Sequence, residues 1–388
     1  MKQSASVRSA VMSGKYKVPS MKEIFELPWN GYNVVSTFSG GGGSCLGYEM
    51  AGYHVVWANE FIPEAQNTYR QNHKKTYLNT KDIRKVTAED IFRETGLKKG
   101  EIDLFDGSPP CCAFSTAGSR EDGWGKVRKY SDNAEQRVDD LFFEYTRLVR
   151  DLQPKVFVAE NVSGLVKGKA KGYFKLILAE MKSCGYEVSA RLLNAKWLGV
   201  PQSRERLIFV GVRKDLVEKY GVHPVHPLPM EEMITLGEAL EGIKNDPKEE
   251  EELINTYARY SSGKILAKIP KNPQKPVQAS KIMDGSYFNL IRESFYRPCS
   301  TICQMNGMQG TAGNCHPIQD RKFTIAELKR ITSLPDDFIL TGSYQQQWER
   351  AGRMVPPIMM KHISTTIKTE ILDKLEEKDE RKINEEAV

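Results

Sequence analysis

The sequence contains no apolar run near the ~18 residues that a bilayer-spanning helix needs, and no C-x-x-C pair of the kind that holds zinc. Residues 1–20 carry Lys2, Arg8, Lys15 and Lys17 but no acid and no continuous apolar stretch, so they do not read as a secretory signal. The seven cysteines, Cys45, Cys111, Cys112, Cys184, Cys299, Cys303 and Cys315, are an odd number; reduced thiols in a cytosolic or nuclear setting are expected, and no metal site. Composition shows no bias either. With 40% hydrophobic, 27% charged and 9% aromatic residues, collagen-like, disordered and disulfide-scaffold classes are excluded. There remain 388 residues, enough for two or three domains with full cores, and a formal charge of +6 that permits a polyanionic partner without requiring one.

From residue 31 the chain alternates short β-branched or aromatic runs with helical periodicity, the pattern of βαβ units on a parallel sheet. Strands are expected at Val34–Phe38, His54–Asn59, Ile102–Phe105, Val156–Ala159, Val188–Leu193 and Leu207–Val212, with helices over Asp139–Leu152 and Tyr173–Met181. A doubly wound sheet of this kind binds ligands at the carboxyl ends of its strands. After Arg213 the rhythm stops, and Pro-bearing, charged sequence runs to about Tyr296. This insert is electrically split: acids dominate from Glu231 to Glu252, bases and aromatics from Arg259 to Arg292, which fits a phosphate-tracking surface as well as a merely solvated one. The expected organisation is a basic, flexible extension over 1–30, a cofactor-binding catalytic domain over 31–212 and a smaller domain over 213–335. The segment 336–375 returns to the catalytic domain, and a charged tail over 376–388 frays.

Phe38-Ser39-Gly40-Gly41-Gly42-Gly43-Ser44 follows an apolar strand and opens a helical run, so Gly40 and Gly42 let a ligand approach backbone and helix N-terminus. Twenty residues after Gly40 the second strand ends in Glu60, an acid able to accept ribose hydroxyl hydrogens. Phe61 can stack on an adenine ring, and Asp82 and Ile83 can complete its pocket. Loop and acid together indicate a nucleoside cofactor, either nicotinamide-type or S-adenosylmethionine.

The strand Ile102–Phe105 runs into Asp106-Gly107-Ser108-Pro109-Pro110-Cys111-Cys112. Two prolines stiffen the turn that delivers Cys111 to the sheet's carboxyl edge, where a packing cysteine is out of place and a nucleophile is not. Val156–Ala159 delivers Glu160-Asn161-Val162 to the same edge. Gln202-Ser203-Arg204-Glu205-Arg206 adds two guanidiniums that face one way in an extended segment.

Taken together, FSGGGG at 38–43, Glu60, GSPPCCAFSTAG at 107–118, ENV at 160–162, QSRER at 202–206, RPCSTI at 297–302, FTIAELKRITSLPDDF at 323–338 and AGRMVPP at 351–357 resemble the DNA (cytosine-5) methyltransferases in their standard motif order. The resemblance spans roughly 31–370 and implies a Rossmann-like α/β fold with a smaller target-recognition domain, S-adenosylmethionine as cofactor and double-stranded DNA as partner. It implies a cytosine flipped from the duplex, Cys111 adding to C6, Glu160 holding the N3 edge, and Arg204 and Arg206 orienting base and acid. Ser119–Asp140 becomes the loop that closes on DNA. A monomer is expected, cytoplasmic, bacterial or phage-encoded and nucleoid-associated, with no membrane and with a cognate restriction endonuclease as a further partner to test for.

Two positions depart from that family's pattern. Cys112 replaces a glutamine. Arg353 stands where a Gly-Asn motif has its asparagine, near the methionine end of the cofactor. It pairs with the cofactor's own carboxylate, turns to an acid, or accommodates a donor whose transferable group carries a carboxylate, which would make a carboxyalkylated cytosine. The alternatives are a tRNA cytosine-5 methyltransferase, a non-catalytic DNA-binding homologue and a nicotinamide dehydrogenase; the last gives no role to Pro110-Cys111 or to Glu160.

Overall fold

The structure is a computed structural model that describes residues 16–110, 140–166, 171–282, 289–307 and 313–378, together with the backbone of 127–129 and 135–137. Its strands, in chain order, are β1 (Asn33–Thr37), β2 (His54–Asn59), β3 (Tyr77–Asn79), β4 (Leu104–Gly107), β5 (Val127–Lys129), β6 (Glu135–Arg137), β7 (Val156–Val162), β8 (Tyr186–Asn194), β9 (Glu205–Arg213), β10 (Val277–Gln278), β11 (Ile291–Arg292) and β12 (Asn314–Cys315). Seven of them form the main sheet in the order β3-β2-β1-β4-β7-β9-β8. From β3 to β7 all neighbours are parallel, whereas β9 runs antiparallel to both β7 and β8. This is the mostly parallel α/β architecture expected from the βαβ rhythm.

Successive side chains of a strand point to opposite faces, and both faces here are covered. Val34, Val158 and Val210 join Tyr48, Met359 and Ile363 in one core, while their neighbours Val35, Phe157 and Phe209 join Trp57, Leu148 and Leu152 in the other. Hence the strands read as nearly unbroken apolar runs rather than alternating ones. The helix Leu141–Leu152 buries Leu141, Phe142, Tyr145, Leu148, Val149 and Leu152, the face given by its periodicity.

A third core gathers segments far apart in sequence: Met21 and Ile24, Leu46 and Met50, Leu236, Phe323 and Leu328, Trp348 and Met354. The part of the N-terminal extension that is described is therefore not a loose arm. Met21–Phe25 is a helix with a Ser20/Glu23 capping box, and the Met21 amide donates to Asp337 Oδ1 at 3.0 Å. Five helical residues are too few for periodicity to reveal. Within 213–335, β10, β11 and β12 make a small sheet backed by Tyr257, Leu266, Ile269, Leu290 and Cys315. The acidic run lies on the helix Pro247–Arg259, where Glu250 pairs with the buried Arg321 at 3.0 Å and Glu249 accepts from the Ile325 amide at 2.9 Å.

The chain then returns to the main sheet through the helices Tyr344–Arg353 and Pro357–Ile367. The second lies on the helix Gly43–Glu49 so closely that a Cβ on Gly47 would stand 2.5 Å from the Pro357 carbonyl oxygen. Among the described residues no helix is long and apolar enough to cross a membrane.

Candidate active site

Leaving β1, the backbone turns through Phe38 at φ 54°, Gly40 at φ 57° and Gly42 at φ 94° before the helix Gly43–Glu49 begins. Phe38 holds a left-handed conformation that costs a non-glycine residue on the order of 1 kcal/mol. The turn exposes the Gly40 amide, which donates to Glu60 Oε2 at 2.7 Å, while the Ile62 amide donates to Oε1 at 2.6 Å. Burial pushes the Glu60 carboxyl above its ordinary range, against the lowering effect of those two amides and of the Arg350 and Arg353 charges.

Loop and acid form one end of a cavity of about 560 Å³, lined there by Phe38, Gly40, Glu60, Phe61, Ile83 and Arg353. Gly41 and Gly43 receive the returning segment: added Cβ atoms would lie 2.1 Å from Met354 Cε and 2.5 Å from the Val355 carbonyl oxygen.

At the other end the wall is made by Ser108, Pro110, Glu160, Arg204 and Arg206. Because β9 is antiparallel to β7, its first residues lie beside the last residues of β7. Val162 pairs with Arg206 and Glu160 with Ile208, so Glu160 and Arg206 are diagonal neighbours on one face. Arg206 Nε meets Glu160 Oε1 at 2.5 Å, both side chains mostly buried. Arg204, two residues earlier, behaves differently. Its Nη1 donates to the Ile302 carbonyl at 3.2 Å, and its Nη2 to the Gly352 and Arg353 carbonyls at 3.0 and 3.3 Å. It thus pins the returning chain to the sheet, and burial with the neighbouring Arg206 charge depresses its pKa to about 9.

Two expected residues stand off the cavity wall, and a third lies outside the described residues. Gly42 caps the helix and its would-be Cβ lies 2.0 Å from His73 Nε2, so there the missing side chain makes room for a histidine. Asp82 caps the turn Ile83–Lys85 and pairs with Arg84 at 3.2 Å, leaving Ile83 alone on the wall. Cys111, like Cys112 and most of Ser119–Asp140, lies outside the described residues. The chain leading to Cys111 is described as far as Pro110. There Asn161 Nδ2 donates to the Pro109 carbonyl at 3.2 Å.

Sequence reasoning singled out neither Asn161 by itself nor Arg350, Cys303 and Met354, which also line or support the cavity. Arg350 lies one helical turn before Arg353, a spacing that could have flagged it. Arg353 itself forms an i,i+4 ion pair with Glu349 on the helix Tyr344–Arg353. Of the three readings of Arg353, the pair matches the turn toward an acid.

The family model for C-5 cytosine-specific DNA methylases matches residues 32–369. Among curated relatives, the chain is 30% identical over 367 residues to the Type II methyltransferase M.NgoPII of Neisseria gonorrhoeae, covering 88% of this chain and 96% of that one. It is 30% identical over 372 residues to M.FnuDI of Fusobacterium nucleatum, at 92% and 99% coverage. Its fold resembles the solved structure of a Spodoptera frugiperda DNMT2 variant with a TM-score of 0.59, at 17% identity and 89% and 99% coverage. With the family model matched over nearly the whole described chain, and a glycine loop, a buried acid and a carboxylate–guanidinium pair around one cavity, the chain belongs to the C-5 cytosine-specific DNA methylases and is an S-adenosylmethionine-dependent DNA (cytosine-5) methyltransferase.

Proposed function

We propose that the cavity holds a flipped cytosine at the Glu160–Arg206 end and S-adenosylmethionine at the Gly40–Glu60 end, and that Cys111 attacks the ring between them. The observation that carries the reading is the Glu160–Arg206 pair, opening into the same cavity as the Gly40–Glu60 pair.

The residues fit the cofactor. A carboxylate offers about four lone-pair positions, and Glu60 spends two on the Gly40 and Ile62 amides, which fix it while leaving acceptors for ribose hydroxyls. Phe61 and Ile83 supply apolar surface for the adenine, and the Gly41–Met354 and Gly43–Val355 contacts close the wall beside the methionine portion. When bound, the cofactor supplies an electrophilic methyl group on a sulfonium.

This chain's residues prepare the acceptor. Cytosine C5 is a poor nucleophile until the Cys111 thiolate adds to C6 and gives C5 enamine character. Glu160 holds the N3 and amino edge, and Arg206 fixes the carboxylate and stabilises the charge that the ring takes up. Arg204 acts one step back, locking Ile302 and Gly352 to the sheet so that the wall keeps its shape. After transfer, the C5 proton leaves and the Sγ–C6 bond breaks.

Residues 213–335 serve as the target-recognition domain, with the basic stretch Arg259–Arg292 on the DNA backbone. The donor is ordinary S-adenosylmethionine: Arg353 is held by Glu349, which it shares with Arg350, and its turn to a protein acid supports no carboxylated donor. A duplex carrying 5-fluorocytosine tests the whole reading: a covalent adduct is expected with the parent enzyme and none with Cys111→Ala. An adduct in that variant, or preferential modification of tRNA over duplex DNA in competition, overturns it.

A further inference from the structure

Beside the cavity lies a buried carboxyl for which the mechanism above has no use. Asp106 sits at the end of β4, five residues before Cys111, and is 1% exposed. In the parallel register of β1 and β4 it stands opposite Ser36. Ser36 Oγ donates to Asp106 Oδ2 at 2.9 Å, and Ser39 Oγ donates to Ser36 Oγ at 3.0 Å. Ser39 belongs to the cavity wall. Thus two hydroxyls in series lead from the cavity to a carboxylate inside the protein, whose second oxygen is taken by Tyr48 OH at 3.0 Å. A hydroxyl both donates and accepts, so such a row can pass a proton by exchanging its hydrogens in turn.

We propose that Ser39, Ser36 and Asp106 form the relay that removes the C5 proton. The inference rests on the methyltransferase reading of the site and names a residue that reading lacks. Asp106 touches neither base nor cofactor; it is a positioning residue that acts through the two serines. The C5 proton passes to a water molecule in the cavity, that water passes a proton to Ser39 Oγ, Ser39 passes its own to Ser36, and Ser36 passes its own to Asp106 Oδ2. The electron pair of the C5–H bond becomes the second bond of C5=C6, and the pair of the Sγ–C6 bond returns to Cys111 as thiolate. Asp106 ends neutral, water is regenerated, and the proton leaves by the reverse route once the product has gone.

The surroundings suit an acceptor that works near neutral pH. Burial raises the Asp106 carboxyl to about 7, opposed by its bonds to Ser36 and Tyr48 and assisted by the Glu160 charge. The titratable groups facing it are Glu160 from β7, Tyr48 and Cys45 from the helix Gly43–Glu49, and Tyr145 from the helix Leu141–Leu152. Burial raises Tyr48, Cys45 and Tyr145, so none of these three carries charge at neutral pH.

The test is single-turnover release of tritium from duplex DNA containing 5-tritiated cytosine, followed together with formation of the covalent adduct. In Asp106→Asn and in Ser36→Ala, release is expected to slow on the order of 10²-fold while adduct forms at the parental rate and accumulates. Tyr48→Phe, which removes a bond that lowers the Asp106 pKa without breaking the relay, is expected to move the acid limb of tritium release to higher pH and to reach the parental rate above that limb. The parental release rate falls as pH drops below about 7, and Asp106→Asn loses that acid limb. Parental release rates in both relay variants, with the limb retained, overturn the relay alone. A parent enzyme that forms no adduct and releases no tritium overturns the methyltransferase reading of the site instead.

Discussion

The side-chain amide of Asn161 donates to the carbonyl oxygen of Pro109 across 3.2 Å, joining the end of β7 to the turn that leads into Cys111. Both residues are buried, and Asn161 Oδ1 is held in turn by the Val162 amide at 2.8 Å. The acid strand and the thiol turn are therefore positioned by one side chain. Asn161→Ala leaves a buried carbonyl unpaired, at about 1–3 kcal/mol. The expected outcome is a modest fall in urea midpoint but a drop of roughly 10²-fold in the rate of adduct formation with 5-fluorocytosine DNA. Asn161→Asp, which has no amide hydrogen to offer Pro109, should rescue neither.

Glu160 and Arg206 act as a unit, so their substitutions should not add. Glu160→Gln and Arg206→Ala each lower single-turnover methyl transfer by at least ~10²-fold. Arg206→Ala also costs roughly 3 kcal/mol in unfolding free energy, because it leaves a mostly buried carboxylate without its cation. In a double-mutant cycle the combined variant should be little slower than the worse single one. Full additivity would mean that the two groups work independently.

Gly41 and Met354 share one volume. A methyl group on Gly41 meets Met354 Cε at 2.1 Å and Thr68 Cγ2 at 3.2 Å. Gly41→Ala therefore pushes the flexible tip of Met354 aside, a displacement that costs stability only at the low end of the overpacking range, about 1 kcal/mol. This should appear as weaker S-adenosylmethionine binding in isothermal titration, by roughly tenfold or more. Adding Met354→Ala should recover most of that loss.

The Arg353–Glu349 pair bears on the product. Nucleosides from DNA modified in cells, digested and weighed, are expected to contain 5-methylcytosine and no carboxyalkylated cytosine, before and after Arg353→Asn. A cytosine carrying a carboxyl-bearing group in the parent sample alone would reverse the assignment of the donor.

Asp106 also makes stability depend on pH. Its folded pKa, about 7, lies above the ordinary value near 3.8, so the native state binds the extra proton in that window. Stability from this group is accordingly highest below about pH 4 and declines as pH rises to about 7. Relative to the parent, Asp106→Asn should gain roughly 2–4 kcal/mol between pH 4 and pH 8 in urea titrations.

How much of this could be read from residues alone depends on distance along the chain. The apolar runs of β1, β2 and β7 and the acids that end β2 and lie near the end of β7 were legible, since a strand and the residue leaving it are local facts. Periodicity cannot give a strand's direction, so the antiparallel β9 was not, and the meeting of Arg206 with Glu160 was expected only from the resemblance. Spacing cannot say which glycine faces a ligand and which faces His73, a choice made by contacts from another helix. Arg204 finds its partners at Ile302, Gly352 and Arg353. Two-residue strands such as β10, β11 and β12 fall below any window in which alternation can be counted. The helix Pro247–Arg259 did carry a local signal, Asp246 as cap before Pro247, hidden among so many charges.

The seating of Pro357 and Met360 on Gly47 has a consequence for biosynthesis. The cavity's glycine turn leaves the ribosome long before the segment Gly352–Val355 that packs against it. A nascent chain can pair β1, β2 and β4 early, yet the helix Gly43–Glu49 must wait with an uncovered apolar flank until Pro357–Ile367 emerges. The cavity wall is thus completed only once that helix has been made, and a chain stalled before it should be held by chaperones rather than by a ligand.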